Sequence, residues 1–217
     1  EVGLGLGGGE ADGFFSLILE GTSHEVKITF RGESTHASIP WTGKNASFAL
    51  GNALKSIEQY RPDLDTSLPV FEHLNNFAIE GRPDPTTIDS VITKLESLNP
   101  NLASLLKALS RMVITPTIIR GGIKSNSVPE TFELICDVRT LPFQDEKYVR
   151  NQLHQILENI DGVEYEIDYM SVPNSSPFDK PLFHAIKRAQ ALALQRNDIQ
   201  WVPAISNGFT DSRFTRN

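Results

Sequence analysis

The pattern of apolar and polar positions predicts four strands along the chain. Val26, Ile28 and Phe30 alternate with Lys27, Thr29 and Arg31, which predicts a half-buried strand. A second strand is predicted near Val113 to Ile119. Pro116 cannot donate to a ladder, so that strand is expected at a sheet edge or with a bulge. The third is the clearest: Phe132, Leu134, Cys136 and Val138 share one side, and Glu133, Ile135, Asp137 and Arg139 the other. The fourth places Val163, Tyr165, Ile167 and Tyr169 against acidic residues, after an Asp161-Gly162 turn. Two helical periods fall between these strands. Asn45 is a candidate N-cap for a helix with Ala46, Leu50, Ala53, Leu54 and Ile57 on one face. Asp145 caps a second, with Val149, Leu153, Ile156 and Leu157 inward.

The order βαββαβ from Thr22 to Val172 is the ferredoxin-like pattern, in which two helices cover one face of an antiparallel sheet. It is interrupted at about residues 62–110 by an insertion. That insertion carries Pro/Asp-rich turns (Arg82-Pro83-Asp84-Pro85) and a short helical stretch near Leu102 to Leu109. Residues 1–21 open with glycines from Gly3 to Gly9 and read as a connector. Pro173 to Pro177 has a linker composition. A helix follows with Leu182, Ile186, Ala189 and Ala193 on one face, then a short strand from Trp201 to Ile205. The expected organisation is a lid at residues 22–175, set into pieces of another α/β domain at 1–21 and 176–217.

Composition narrows the possibilities. A chain of 217 residues can bury a sizeable core. Its net charge of −7 argues against a general nucleic-acid binder, which needs basic surface to displace counterions. No apolar run is long enough to span a membrane, and no signal-peptide pattern is visible. Glu1 stands where a start Met would, so a preceding segment is expected. The single cysteine, Cys136, can form no internal disulfide, which fits either a reducing, cytoplasmic compartment, the expectation here, or a secreted protein without bridges.

Three segments could carry chemistry. His36 lies in a loop of small residues, Gly32-Glu33-Ser34-Thr35-His36-Ala37-Ser38-Ile39-Pro40. It is either a solvated loop histidine or a donor to a developing oxyanion. Asn126, in Gly121-Gly122-Ile123-Lys124-Ser125-Asn126-Ser127-Val128-Pro129, is either a turn residue or a polar grip on substrate. Arg139 offers a planar fork matched to a carboxylate, or else pairs with Glu133 or Asp137. The opening glycines could cradle a phosphate, but they lack the Lys-Ser/Thr that ends a Walker loop.

Taken together, these segments resemble the lid or dimerisation domain of the co-catalytic zinc enzymes. That family includes aminoacylase, acetylornithine deacetylase, succinyl-diaminopimelate desuccinylase and glutamate carboxypeptidase. Gly32, His36, Ala37, Ser38 and Pro40 match one family motif. Gly121, Gly122, Asn126 and Pro129 match the next, and Asp137 and Arg139 the third. The closing Gly208-Phe209-Thr210-Asp211-Ser212-Arg213 resembles a loop of the family's catalytic domain, and the insertion is similar to the carboxypeptidase S branch.

The resemblance implies a zinc-dependent hydrolase cleaving an N-acyl-amino-acid or C-terminal peptide bond. Two zinc ions would act in the full-length parent, which would be a homodimer paired through its lids. It implies that His36 stabilises the oxyanion, that Asn126 and Arg139 bind substrate, and that Gly208 and Thr210 line the pocket. The family's metal-ligand motifs have no match in this chain, so no zinc ligand is assigned and the chain alone is expected to be inactive. The competing readings are a non-catalytic dimerisation or regulatory module, and a nucleotide-binding protein using the opening glycines.

Overall fold

The computed structural model describes residues 3–6, 13–20, 22–77, 79–169, 174–175 and 181–206. In chain order its strands and helices are β1 (Gly3–Leu6), β2 (Gly13–Glu20), β3 (Thr22–Arg31), α1 (Ala46–Gln59), α2 (Ile88–Glu96), α3 (Pro100–Leu109), β4 (Val113–Gly121), β5 (Thr131–Thr140), α4 (Glu146–Leu157), β6 (Val163–Tyr169), β7 (Asn174–Ser175), α5 (Pro181–Leu194) and β8 (Gln200–Ser206). Short 3₁₀ turns occur at Pro40–Thr42, Pro69–Glu72 and Leu74–Phe77. The chain divides into two compact units, one of residues 22–62 and 112–172, the other of 1–21, 63–111 and 173–217.

The unit of residues 22–62 and 112–172 is the βαββαβ fold that the alternation predicts. Its sheet has the order β4-β5-β3-β6 and is antiparallel throughout. Val26, Ile28 and Phe30 of β3 share one face with Leu134, Cys136 and Val138 of β5. Ala46, Leu50, Ala53 and Ile57 of α1 and Val149, Leu153 and Ile156 of α4 close over them. Both predicted caps form: Asn45 accepts from the Ser47 N–H at 2.9 Å, and Asp145 from the Tyr148 N–H at 2.9 Å. Strand β4 takes both places open to its proline. It is an edge strand, and its register shifts between Pro116 and Ile118. Burial raises the Cys136 thiol to about 11, so this thiol is inert rather than nucleophilic.

In the other unit, β2 is central, pairing antiparallel with β1 and β7 and parallel with β8. Gly3–Leu6, read as connector, is thus a strand, because β2 supplies a partner that its glycines do not advertise. Residues 63–111, read as an insertion in the lid, group with this unit. Within it α2 packs on α3, burying Ile88, Ile92, Leu102 and Leu106. Helix α5 turns a different face inward from the predicted one. Leu182 is 59% exposed, whereas Phe183 is 6% exposed and meets the Trp201 ring edge-on at 5.5 Å. No helix among the described residues is long and apolar enough to cross a membrane.

Candidate functional site

The loop after β3 and the loop before β5 are far apart in sequence and are joined by backbone hydrogen bonds. The Gly32 N–H donates to Glu130 O at 2.7 Å, Val128 N–H to Thr35 O at 2.8 Å, and Ala37 N–H to Asn126 O at 2.9 Å. His36 and Ser127 form an isolated bridge, and the Ser34 and Ser127 hydroxyls lie 3.1 Å apart. Two motif glycines stand where a side chain would not fit. A Cβ on Gly32 would stand 2.1 Å from Lys44 O, and one on Gly121 would stand 2.3 Å from the Phe132 ring. Gly32 thus lets the loop after β3 lie close against Lys44, and Gly121 lets the end of β4 lie against the Phe132 ring.

This crossing brings His36 and Asn126 together. Their backbones are committed to the loops, and both residues are exposed. The Asn126 side-chain amide makes no hydrogen bond among the described residues. His36 uses one ring nitrogen locally: Nδ1 lies 2.7 Å from Ser38 Oγ and accepts from the Ser38 N–H at 3.2 Å. Beside the Ser34–Ser127 pair is a cleft of about 260 Å³, lined in part by Arg120, Gly122, Val128 and Thr131.

Arg139 is elsewhere. It sits near the far end of β5, opposite Ser23 of β3 and Val113 of β4. From Thr131 to Arg139 the strand climbs about 26 Å, at roughly 3.3 Å per residue. Arg139 grips Asp137 with both arms of its fork, Nε to Oδ1 at 2.6 Å and Nη2 to Oδ2 at 2.8 Å. Of the two partners the sequence left open, Asp137 is the one it meets. Gly208 and Thr210 lie outside the described residues, as do Gly7 to Gly9. Among the described residues no three His, Cys, Asp or Glu side chains gather to hold a metal ion. The zinc centre implied by the resemblance therefore finds no fit in them.

A family model for the peptidase dimerisation domain of the M20 peptidases matches residues 20–163. The chain belongs to that family. The match holds His36, Asn126 and Arg139, and it includes the whole ferredoxin-like sheet up to the start of β6. Among curated proteins, this M20 domain is similar to a probable succinyl-diaminopimelate desuccinylase of Staphylococcus aureus. The two are 26% identical over 180 residues, covering 82% of this chain and 40% of that protein. Among solved structures it is similar to the dipeptidase Dug1p of Saccharomyces cerevisiae, with a TM-score of 0.59 and 11% identity, over 92% of this chain and 45% of that one. It is also similar to an M20-family metallo-carboxypeptidase of Sulfolobus solfataricus, with a TM-score of 0.57 and 14% identity, over 91% and 48%. At such identities the structural likeness concerns the fold alone. The chain spans about 40% of the length of the curated relatives it matches.

Three further residues have roles in the structure that the sequence did not assign. Ser38 and Asp137 were matched only as motif members, Asp137 being weighed besides as a partner of Arg139, and Arg120 was not considered. The i, i+2 spacing of Asp137 and Arg139 on one strand face was the available signal. Nothing local marks Arg120 as lining a cleft, because the cleft is made by strand and loops together.

Proposed function

We propose that this M20 domain is the substrate-gripping lid of a metal-dependent hydrolase that cleaves an amide bond beside a free carboxylate. Its substrate class is an N-acyl amino acid or a small peptide. The observation that carries this reading is the placement of the polar grips. His36 and Asn126 share one end of the sheet with their side-chain donors uncommitted to the loops, while Arg139, its guanidinium fork aligned by Asp137, stands at the other. A single small substrate cannot reach from one end to the other. Two lids in a homodimer would let each site take His36 and Asn126 from one protomer and Arg139 from the other.

The surface for such pairing is the edge strand β4. Its outer backbone groups lack a ladder partner in the sheet, and Ile118 and Ile119 are 43% and 51% exposed. His36 would donate to the oxyanion of the tetrahedral intermediate, Asn126 would bind the acyl carbonyl, and Arg139 the carboxylate. In this reading the metal centre, which would polarise the scissile carbonyl, belongs to segments that the longer relatives have and this chain does not span.

Subunit mixing in a full-length enzyme carrying this lid tests the reading. Alone, His36→Ala and Arg139→Ala should both be nearly inactive. If the two residues act from different protomers, a mixed dimer holds one intact site, so random re-pairing should restore roughly a quarter of wild-type activity. Failure of the mixture to recover, despite confirmed subunit exchange, would sink the shared-site arrangement. The rival reading, a purely dimerising module, is favoured by the Asp137–Arg139 pair if that pair is structural. It would be upheld by wild-type kinetics in both single variants.

A further inference from the structure

His36 is exposed, yet one edge of its ring is already occupied. The Ser38 backbone N–H is 3.2 Å from Nδ1, and Ser38 Oγ is 2.7 Å from the same nitrogen. A backbone N–H can only donate, so Nδ1 must present its lone pair. A neutral imidazole with its lone pair on Nδ1 carries its proton on Nε2. The hydroxyl, the nearer of the two groups, adds its own O–H toward that lone pair. Nε2 makes no hydrogen bond among the described residues, so the remaining donor of the ring is left for a ligand.

The turn that holds Ser38 in place is itself tied down. The Ile39 N–H donates to His36 O at 3.0 Å, and the Thr42 N–H donates to Ile39 O at 3.2 Å. Thr42 Oγ1 donates to Ile39 O at 2.9 Å and lies 2.7 Å from Thr35 Oγ1. Pro40 opens the 3₁₀ turn directly after Ile39. Ser34, the other serine of the loop, is engaged with Ser127, so Ser38 is the loop's hydroxyl on the ring.

We propose that Ser38 is a positioning residue that sets His36 as a neutral Nε2–H donor. The consequence is a choice of role. With Nε2 protonated and Nδ1 capped, the ring stabilises negative charge and has no open lone pair with which to act as a base or bind a metal. The proposal deepens the oxyanion reading of His36 and rests on it for its use in catalysis. The ring's protonation pattern can be measured apart from any activity.

Long-range ¹⁵N–¹H correlation spectra of the labelled 217-residue chain, taken above the histidine titration, test it. Wild-type His36 should show a pyrrole-like Nε2 and a pyridine-like Nδ1. Ser38→Thr, which keeps the hydroxyl, should show the same pattern, whereas Ser38→Ala, which loses the hydroxyl and keeps the backbone N–H, should move both shifts part of the way toward the averaged values of a free imidazole. A wild-type proton on Nδ1, or a Ser38→Ala spectrum indistinguishable from wild type, would overturn the proposal. In a full-length enzyme, Ser38→Ala should lower kcat about two- to tenfold at unchanged KM, the cost of one hydrogen bond, with Ser38→Thr restoring it. Full turnover in His36→Ala would instead remove the oxyanion role and leave the spectrum to decide on Ser38, so the two failures are distinguishable.

Discussion

The two ends of the lid sheet hold their polar residues in opposite ways. At the His36 end, the backbone does the structural work: Gly32, Ala37 and Val128 cross-link two loops through main-chain hydrogen bonds. The Asn126 amide and the Nε2 edge of the His36 ring are therefore left with no hydrogen bond among the described residues, while Nδ1 of His36 is held by Ser38. At the Arg139 end, the ladder of β5 secures the backbone, and the side chain is held by its neighbour Asp137 in a two-armed pair. One end presents lightly held donors on a rigid loop crossing. The other presents a charge whose direction is fixed but whose partner a substrate carboxylate must share or displace. The first arrangement suits a contact that strengthens only as charge develops. The second suits a contact that exists in ground and transition states alike.

The largest expected difference between the ends is kinetic. In a full-length enzyme, His36→Ala should lower kcat about 100- to 1,000-fold while KM stays near its wild-type value, the usual cost of one oxyanion donor. Arg139→Lys should do the reverse and raise KM, because lysine keeps the charge and loses the fork. Loss of charge-assisted hydrogen bonds worth about 1.5–3 kcal/mol implies roughly a 10- to 150-fold increase. Steady-state kinetics of the two variants side by side would check this. A pure stability loss in Arg139→Lys, with unchanged KM, would make the arginine a structural partner of Asp137.

A smaller effect should separate the ends by what holds them. Gly32→Ala, at the residue whose N–H joins the loop of Glu130, forces a methyl into Lys44 O. It should cost about 1–3 kcal/mol of stability, read by chemical denaturation, and should also loosen His36 and Asn126. Amide exchange should then accelerate at Ala37 and Val128 while β5 near Arg139 keeps its protection. Uniform acceleration along the sheet would show that the two ends are one cooperative unit.

The smallest effect is a dependence on pH at the Arg139 end. His24, paired with Val138 next to Arg139, is buried, and desolvation lowers its pKa below the ordinary 6.5, against an opposing pull from Glu146. Its neutral form is thus the one the fold favours. The unfolded chain takes up a proton first, so stability is complete above about pH 6.5 and falls as pH drops through that value toward the folded pKa. Denaturation midpoints at neutral and mildly acidic pH should show this loss, and His24→Leu should flatten it. An equally steep acid limb in His24→Leu would assign the loss to other groups.

Much of this architecture was legible in the residues. Alternation in β3, β5 and β6 reports a buried face because side chains on a strand point to opposite sides. Asn45 and Asp145 mark helix starts because an N-cap acts on its own next turn. Pro116 announced an edge or a bulge because it lacks an N–H. These are local signals with local causes. The motifs naming His36, Asn126 and Arg139 were also visible, and the family match spans all three.

What only the tertiary structure decided is who meets whom. Gly3–Leu6 carries no strand signal and becomes one because β2 offers a partner. Helix α5 has several apolar positions, and the face that wins is the one from which Phe183 reaches Trp201. Residues 63–111 interrupt the lid in sequence, yet they pack with the terminal segments. His36 and Asn126 are ninety residues apart, on loops joined by main-chain bonds that no side-chain pattern encodes, whereas Asn126 and Arg139 are thirteen apart and end up at opposite ends of the sheet. Periodicity states which face of an element avoids water. It carries no information about which partner covers that face, because burial is non-directional and backbone hydrogen bonds look the same at every residue.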